Sequence, residues 1–235
     1  MDDPYFEAYD RVRERISHLV TASDADPGAA VAACPSWSVS DVLAHLVGLA
    51  EDVVAVNTAH YAEQDWTAAQ VMRWRGADMA SMLQAWQVAG PQLRTAELPP
   101  IGRAFKTVGR LIFMDAAIHE HDLRGALERP EPSDEVVELG LRTSIDLLGR
   151  VLRRPQDEGS VPAIHVTATG LDSWELGGGG DLVRVAGTPF ELWRGLSGRR
   201  TVDQVASLTW SADPSPFMPY WAFGPLDFAT QELSY

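Results

Sequence analysis

The chain has 235 residues, of which 46% are hydrophobic and 22% charged, so it can bury the core of one large domain or two small ones. Its formal net charge of -14 argues against binding to nucleic-acid phosphates or to an anionic membrane surface, because both attract clustered Lys and Arg. The acidic N-terminus lacks the pattern of a signal peptide, and no run of about 18 apolar residues could span a bilayer. With a single cysteine, Cys34, the protein is expected to act in the reducing cytoplasm.

Up to about residue 155 the apolar residues recur with the spacing of amphipathic helices. The first helix is predicted from Tyr5 to Val20. The second follows the segment CPSW and has a strong start signal, with Ser38 as its N-cap and Asp41 at its third position. The third is predicted as one long helix from Gln64 to about Leu98, bent near Gly76.

Two more helices complete the first part of the chain. One spans Thr107 to Leu127 and ends before the segment ERPEP, and the other runs from its N-cap Ser133 to Leu152. A segment rich in charged residues, with Pro and Gly, then follows, and the helical spacing stops there. A domain boundary is therefore predicted between residues 155 and 160.

Beyond this boundary, short strands and short helices are predicted. The segment AIHVTATG alternates like a half-buried strand, while SWEL and DLVRVAG flank four glycines and predict a hairpin. TPFELWRGLSG is predicted as a short helix capped by Thr188, TVDQVASL as another, and the Pro- and aromatic-rich tail from Ser211 as irregular chain over apolar surface. The sequence therefore predicts an α+β protein, with a helical domain at residues 1–155 and a small α/β domain at residues 160–235 that ends in the irregular tail.

The segment MDAAIHEHDLRGAL, which begins at Met114, concentrates ionisable side chains on the fourth predicted helix. Asp115 and His119 are four residues apart and Asp122 follows three residues later, so the three lie on one face. His121 lies about 200° round the helix from His119, and the two histidines therefore cannot bind one metal ion. The Asp–His pair fits either a metal site or a simple hydrogen bond, and a metal would need another ligand from elsewhere in the chain.

Other ionisable groups near this stripe have different predicted roles. Glu120 and Arg124 are four residues apart and are predicted to form a solvent-side ion pair beside an outward-facing His121. His45 lies in the middle of the apolar segment VLAHLVGL. A histidine there is either a hydrogen-bonded core residue or, across a bundle from an Asp-x-x-x-His helix, the third ligand. Three protein ligands with an open fourth position are typical of a catalytic zinc site.

Several of these segments together resemble the mycothiol-dependent maleylpyruvate isomerase family. CPSWSVSDVLAHLVG and DAAIHEHDLRGAL resemble its N-terminal domain, which belongs to the DinB-like superfamily of metal-binding four-helix bundles. VTATGLDSWELGGGGDLVRVAGTPFELWRGLSGRR resembles its small C-terminal domain, and the resemblance extends to about residue 205. It implies that the helical domain is a DinB-like, up-down four-helix bundle.

The resemblance implies a divalent metal ion, with Zn²⁺ the expected one, held by His45, Asp115 and His119. Asp115 stands where the best-known member of the family has a glutamate, whose side chain is one methylene longer. Asp122 matches the aspartate of the family's H-x-x-D-L pattern. It is expected to orient a ligand or to cap nearby backbone rather than to bind the metal.

The resemblance also points to two arginines of the C-terminal domain. Arg199 and Arg200 match the end of the family's L-W-x-x-L-x-G-R signature, and in the family an arginine of this domain is thought to serve the reaction. Both are therefore expected to be catalytic residues. The alternative is a cation pair that stabilises the C-terminal end of a helix through its dipole.

The function implied by the resemblance is that of a metal-dependent thiol transferase or isomerase, in which a metal-bound thiolate attacks a small electrophilic substrate. Cys34 is not expected to be the nucleophile, because it precedes a proline in a loop without an adjacent base. The thiol is therefore expected to be exogenous, with mycothiol as cosubstrate. An anionic substrate would need a cation such as Arg103, Lys106, Arg110 or Arg199. The alternatives are a non-catalytic metal-binding regulatory or interaction domain, and a metal-dependent hydrolase that uses bound water.

Overall fold

The computed structural model describes residues 3–22, 24–61, 63–97, 105–130, 134–153, 162–222 and 227–235. Its α-helices and strands in chain order are α1 (Pro4–Thr21), α2 (Val39–Val54), α3 (Gln64–Arg73), α4 (Met79–Gln92), α5 (Val108–Ala126), α6 (Glu135–Leu152), β1 (Pro162–Ala168), β2 (Asp172–Leu176), β3 (Gly179–Gly187), α7 (Pro189–Leu196), α8 (Val202–Ala206), β4 (Thr209–Trp210) and α9 (Met218–Trp221). A helical first part followed by a four-stranded sheet confirms the predicted α+β class. Within the described ranges, no helix has both the length and the apolar character needed to cross a bilayer.

The chain divides by its contacts into two units, one of Met1–Glu131 with Tyr235 and the other of Pro132–Ser234. α6 belongs to the second unit, where it packs against α7 and β2. The boundary predicted near residue 155 assigns this helix to the first domain instead, so the two divisions differ by one helix. The domain limits 1–155 and 160–235 stay a prediction.

In the first unit, α2 packs against α3, α4 and α5, and α1 packs against α4 and α5. α2 is buried without interruption from Val42 to Ala50. Its predicted start is confirmed, because Ser38 Oγ accepts a hydrogen bond from the Asp41 N–H (3.2 Å) and Asp41 Oδ2 accepts one from the Ser38 N–H (2.9 Å). This capping box fixes the first turn of the helix, and with it the register at which His45 lies.

The first and fourth predicted helices are confirmed as α1 and α5. Thr107, predicted as the first residue of the helix, is its N-cap, and the helix is buried on more than one face, from Val108 to Met114 and from Ala116 to Arg124. The fifth predicted helix is confirmed as α6. Asp134 caps it by accepting hydrogen bonds from two backbone N–H groups of its first turn, whereas the predicted cap, Ser133, lies outside the described residues.

The single long helix predicted from Gln64 to about Leu98 is wrong, because two helices occupy this stretch. α3 ends at Arg73, α4 begins at Met79, and Gly76 between them adopts a φ of +83°. A left-handed residue cannot continue a right-handed helix, and glycine adopts this conformation without steric cost. α4 ends before the predicted limit, and Leu98 itself lies outside the described residues.

In the second unit, the four strands form one sheet in the order β2-β1-β3-β4. β1 pairs antiparallel with β2 and parallel with β3, and β3 pairs antiparallel with β4. The predicted hairpin between β2 and β3 is therefore wrong, because β1 lies between these two strands. The tight reversal joins β1 to β2 instead, at Gly170 (φ +80°). β1 suits its central position, because Ile164, Val166 and Ala168 point to one face and are all buried.

α7 and α8 confirm the two short helices predicted in the C-terminal part, and Thr188 caps α7 as predicted. The tail from Ser211 is more regular than predicted, since it contains a 3₁₀ turn at Ser215–Phe217 and α9. Phe217 and Trp221 are buried, and their ring centroids lie 5.9 and 5.2 Å from that of Trp210. Aromatic packing therefore orders a segment whose proline content alone indicated irregular chain.

Candidate metal centre

Helices α2 and α5 bring the three predicted metal ligands together. His45 lies on α2, and Asp115 and His119 lie one turn apart on α5. His45 Nε2 is 3.4 Å from Asp115 Oδ2, and one ligand atom from each of the three side chains lies within 4.8 Å of the other two. Both histidines are buried, while the Asp115 side chain is 26% exposed. The group is therefore reachable from solvent on the side of Asp115.

The spacing of these side chains suits a small divalent ion. Tetrahedral coordination with bonds of about 2.0–2.1 Å puts neighbouring N and O ligands about 3.3 Å apart. The 3.4 Å between His45 Nε2 and Asp115 Oδ2 agrees with this value, so the side chain of Asp115 is long enough to share an ion with His45. Two imidazoles and one carboxylate leave a fourth position for an exogenous ligand. The residues present therefore fit a metal ion of the catalytic type.

A buried chain of hydrogen bonds holds the ring of His45. Its Nδ1 lies 2.8 Å from Gln70 Oε1, and Gln70 Nε2 donates to Asp52 Oδ2 (2.9 Å). Arg73 Nη2 donates to the other carboxylate oxygen of Asp52 (2.6 Å). Because the Gln70 amide nitrogen donates to Asp52, its carbonyl oxygen faces His45 and accepts a hydrogen bond from the Nδ1–H of that ring. The lone pair of His45 is then on Nε2, which faces Asp115.

A second pair of contacts holds the ring of His119. Its Nδ1 lies 3.1 Å from Oδ2 of Asp122, which is fully buried, and Cys34 Sγ donates to the same oxygen (3.6 Å). The sulfur is also 3.8 Å from His119 Nδ1. The expectation that Cys34 has no adjacent base is therefore wrong, because the loop before α2 folds back onto α5. Asp122 lies within hydrogen-bond distance of His119, and its predicted role in orienting a ligand stays a prediction.

Trp37 covers both histidines. Its ring centroid lies 5.2 Å from that of His45 and 6.2 Å from that of His119, and the two imidazole centroids are 5.2 Å apart in an edge-on arrangement. Sequence reasoning missed this role, as it missed Gln70 and Asp52. Asp52 carries a usable signal, because it follows His45 by seven residues on α2 and therefore lies on the same face.

The solvent-side ion pair predicted for Glu120 and Arg124 forms, but its predicted exposure is wrong. Both side chains are buried, and Arg124 Nε donates to Glu120 Oε1 (2.9 Å). Arg15 of α1 donates to the other carboxylate oxygen (2.6 Å), so α1 covers this side of α5. His121 is buried too, contrary to the prediction that it faces outward. Neither of the two candidate ligand groups found among the described residues contains His121. This agrees with the helix geometry, which places His121 and His119 on different faces.

The predicted catalytic arginines are buried in the second unit, just after α7. Arg200 Nε and Nη2 donate to the two carboxylate oxygens of Glu191 (2.8 and 2.9 Å), and its guanidinium lies over the ring of Phe190 at 5.6 Å. Arg199 Nη1 donates to the backbone carbonyl of Ser197 (3.2 Å). The Arg200 pairing holds the pKa of the Glu191 carboxyl below its ordinary value. These contacts agree with the alternative of cations at a helix end, and the catalytic role stays a prediction.

The other cations considered for an anionic substrate have different surroundings. Arg110 is buried on α5, where its guanidinium lies over the Tyr5 ring at 5.6 Å. Lys106 is exposed just before α5 and adopts a φ of +73°. Arg103 lies outside the described residues. The binding of an anionic substrate by Arg103, Lys106 or Arg110 therefore stays a prediction.

Fold and site together define an α+β protein whose helical part carries a buried group of two histidines and an aspartate. Residues 9–124 match the family model described as the mycothiol maleylpyruvate isomerase N-terminal domain. This match confirms, for this part of the chain, the resemblance predicted from the sequence. The matched range contains His45, Asp115 and His119, the three side chains of the candidate metal centre.

Solved structures with the same fold carry the same family name. One is the crystal structure of the mycothiol-dependent maleylpyruvate isomerase, with a TM-score of 0.55, and another is a mutant of it in which one histidine is replaced by alanine, with a TM-score of 0.54. Each is 13% identical to this chain, and each alignment covers 88% of this chain and 92% of the other. At this identity the likeness establishes a shared fold. Comparison with curated protein sequences gives no match.

Proposed function

We propose that the chain is an enzyme, a metal-dependent isomerase or thiol transferase that uses mycothiol and acts on a small electrophilic molecule. The convergence of His45, Asp115 and His119 carries this proposal, because two imidazoles and a carboxylate with one accessible side are the donor set of a catalytic metal site. The match of residues 9–124 to a mycothiol isomerase domain family supports the choice of thiol and of reaction.

We assign the metal as Zn²⁺, held by these three side chains. When bound, such an ion lowers the pKa of a thiol at its open position, so that thiolate is available at neutral pH. The partial exposure of Asp115 supports entry of the thiol on that side. Trp37 shields the two histidines from water, and Gln70 keeps the proton of His45 on Nδ1 so that Nε2 is the metal-binding atom.

The reacting thiol in this proposal is exogenous. Cys34 lies at the Nδ1 edge of His119, where its Sγ–H donates to Asp122, whereas the metal would be bound by the Nε2 edge of the same ring. Asp122 accepts the Nδ1 proton and so keeps His119 in the required tautomer. Arg199 and Arg200 remain the proposed catalytic cations for an acidic substrate.

We also propose that α1, α2, α4 and α5 form an up-down four-helix bundle of the DinB-like type. The mutual packing of α1 with α5, α2 with α4, α1 with α4 and α2 with α5 supports this arrangement, with α3 added against α2. The match of residues 9–124 to the N-terminal domain family supports it as well. Action in the cytoplasm stays a prediction.

Metal analysis of the purified chain tests the centre. The background is Cys34→Ser, because the Cys34 sulfur also lies beside His119 and would compete for the ion. We expect about one zinc ion per chain in this variant and loss of the ion in Cys34→Ser/His45→Ala, because only two of the three proposed ligands then remain. His60→Ala is the matched control, since the His60 side chain is 72% exposed and pairs with Glu63 instead. Full zinc retention in Cys34→Ser/His45→Ala would contradict the assignment of the ligands.

Turnover measured with and without mycothiol tests the reaction. Isomerisation of maleylpyruvate, or thiol transfer to another small electrophile, should require both zinc and added thiol. Turnover without any thiol would instead support a hydrolase that uses bound water. Zinc binding without turnover of any electrophile in the presence of mycothiol would support a non-catalytic metal-binding domain.

A further inference from the structure

We propose that Cys34, His119 and Asp122 form a second, alternative site for a thiophilic divalent metal ion, at the Nδ1 edge of the His119 ring. The three side chains come from two elements, since Cys34 lies in the loop before α2 and the other two lie three residues apart on α5. None of the chemistry proposed above uses the Cys34 sulfur. Binding of an ion at this site uses neither His45 nor Asp115 and does not depend on the proposed function, whereas the inhibition argued below rests on it, because His119 belongs to both groups.

The separations of the three donor atoms are those of one face of a tetrahedral metal site. Bond lengths of about 2.0–2.1 Å to N or O and about 2.3 Å to S place ligands about 3.3 Å apart for N and O and about 3.6 Å apart when one is sulfur. The observed distances are 3.1 Å from His119 Nδ1 to Asp122 Oδ2, 3.6 Å from Cys34 Sγ to that oxygen, and 3.8 Å from the sulfur to Nδ1. The distance from the sulfur to the oxygen equals its expected value, and the other two differ from theirs by about 0.2 Å.

The chemistry of the donors selects the class of metal. Thiolate and imidazole bind Zn²⁺, Cd²⁺ and related soft or borderline ions, whereas Mg²⁺ and Ca²⁺ require several oxygen ligands. All three side chains are buried, and Asp122 is fully so. A buried carboxylate beside a thiolate favours a divalent cation strongly, because burial removes the competing water.

The loop that carries Cys34 is held in place by its own backbone. The Cys34 N–H donates to the Val31 carbonyl (2.9 Å), and the Trp37 N–H donates to the Cys34 carbonyl (3.0 Å). Ser36 between them has a φ of +75°. Because this turn fixes the Cys34 backbone, the sulfur already lies beside His119 and little ordering of the chain is needed when an ion binds.

The two sites share one imidazole and therefore compete for it. A neutral histidine has one lone pair, so an ion on Nε2 keeps the ring proton on Nδ1, where Asp122 accepts it. An ion on Nδ1 moves that proton to Nε2 and releases the Sγ proton of Cys34. A thiophilic ion in the second site would thus withdraw His119 from the centre formed with His45 and Asp115, and would inhibit it.

Cadmium titration of His45→Ala tests the proposal with a spectroscopic signal. This variant lacks the first centre, and Cys34 is the chain's one cysteine, so the ultraviolet thiolate-to-cadmium absorption reports Cys34 alone. We expect the band to rise to saturation at one Cd²⁺ per chain. We expect loss of both the band and the bound ion in His45→Ala/Cys34→Ser. Asp115→Ala serves as a second background, because it disables the first centre at a partly exposed position.

Two outcomes would overturn the proposal. One is the absence of the band in both backgrounds while circular dichroism shows that the proteins are folded. The other is a band whose cadmium affinity is unchanged by Asp122→Asn and by His119→Ala, since the cysteine would then bind the ion without its proposed partners. Neither outcome bears on the first centre, which is tested by comparing the zinc content of Cys34→Ser with that of Cys34→Ser/His45→Ala, since neither of these variants has the second site.

Discussion

Replacing Gln70 by leucine should weaken zinc binding at the candidate centre by about 10- to 100-fold, the usual effect of removing a group that orients a metal ligand. Leucine keeps much of the volume of the side chain but can accept no proton from His45 Nδ1. The imidazole then loses its 2.8 Å hydrogen bond and is free to carry its proton on Nε2, the atom that should bind the metal. A tenfold change corresponds to about 1.4 kcal/mol, so the expected loss of binding free energy is about 1.4–2.7 kcal/mol.

The same substitution should also lower stability. Gln70 is fully buried, and its amide donates to Asp52, which is buried as well. Removing that donor leaves Asp52 with the hydrogen bonds from Arg73 and Asn57, so we expect a loss of about 1–3 kcal/mol in the free energy of unfolding. Zinc affinity from competition with a chelator and unfolding in urea separate the two effects.

Gln92→Leu is the matched control for this variant. Gln92 is exposed at the end of α4, where its amide donates to the carbonyl of Val88, and its replacement should leave zinc affinity unchanged. A zinc affinity in folded Gln70→Leu within about twofold of the unaltered protein would refute the orienting role. A drop of equal size in both variants would show that a general loss of stability, rather than the His45 contact, explains the change.

Three further predictions concern stability. Glu120→Ala leaves two arginines without their carboxylate on α5, and we expect a loss of about 3–5 kcal/mol by urea unfolding. Arg200 lowers the pKa of Glu191, so this pair should stabilise the fold above the ordinary carboxyl pKa and cease to do so as the pH falls through the lowered value. The Tm difference between the unaltered protein and Glu191→Gln should therefore shrink on acidification. Gly140→Ala should cost about 1–3 kcal/mol, because its Cβ would lie 2.6 Å from the buried ring of Trp193.

Each of these predictions has a result that contradicts it. A loss below about 1 kcal/mol in Glu120→Ala would mean that water replaces the carboxylate at both arginines. A Tm difference for Glu191→Gln that stays constant from neutral to acidic pH would show that the pair adds no pH-dependent stability. Gly178→Ala is the control for Gly140→Ala, since nothing lies within 4 Å of the Cβ it would add, and equal losses in the two would exclude the Trp193 clash.

The sequence predicted those parts of the site that depend on local rules. The N-cap signal at Ser38 defines where α2 begins, and helical periodicity places Asp115 and His119 on one face of α5. The placement of Asp115 and His119 needs only the spacing along one helix. For His45 the residues alone left two alternatives, a hydrogen-bonded core residue and a metal ligand, and the resemblance to the family favoured the ligand.

What the sequence did not predict depends on contacts between elements that are far apart in the chain. Cys34 reaches His119 through the path of a loop, and Gln70 reaches His45 because α3 packs against α2. The burial of Glu120 likewise follows from the docking of α1 onto α5, which periodicity within α5 does not reveal. The predicted pairing of β2 with β3 was wrong for the same reason, because β1 lies between these two strands in the sheet although they follow each other in sequence.

The contact between Arg15 and Glu120 joins residues that are 105 positions apart in the chain. Closing a loop of that length carries a large entropic cost, which must be met before the contact can form. Until α1 docks, the Glu120 carboxylate has to stay hydrated. A partly formed interface between α1 and α5 from which water is already excluded would therefore be unfavourable. We expect this pair to make the docking of α1 all-or-none, and amide hydrogen exchange in the middle of α1 should then proceed only through unfolding of the whole first unit.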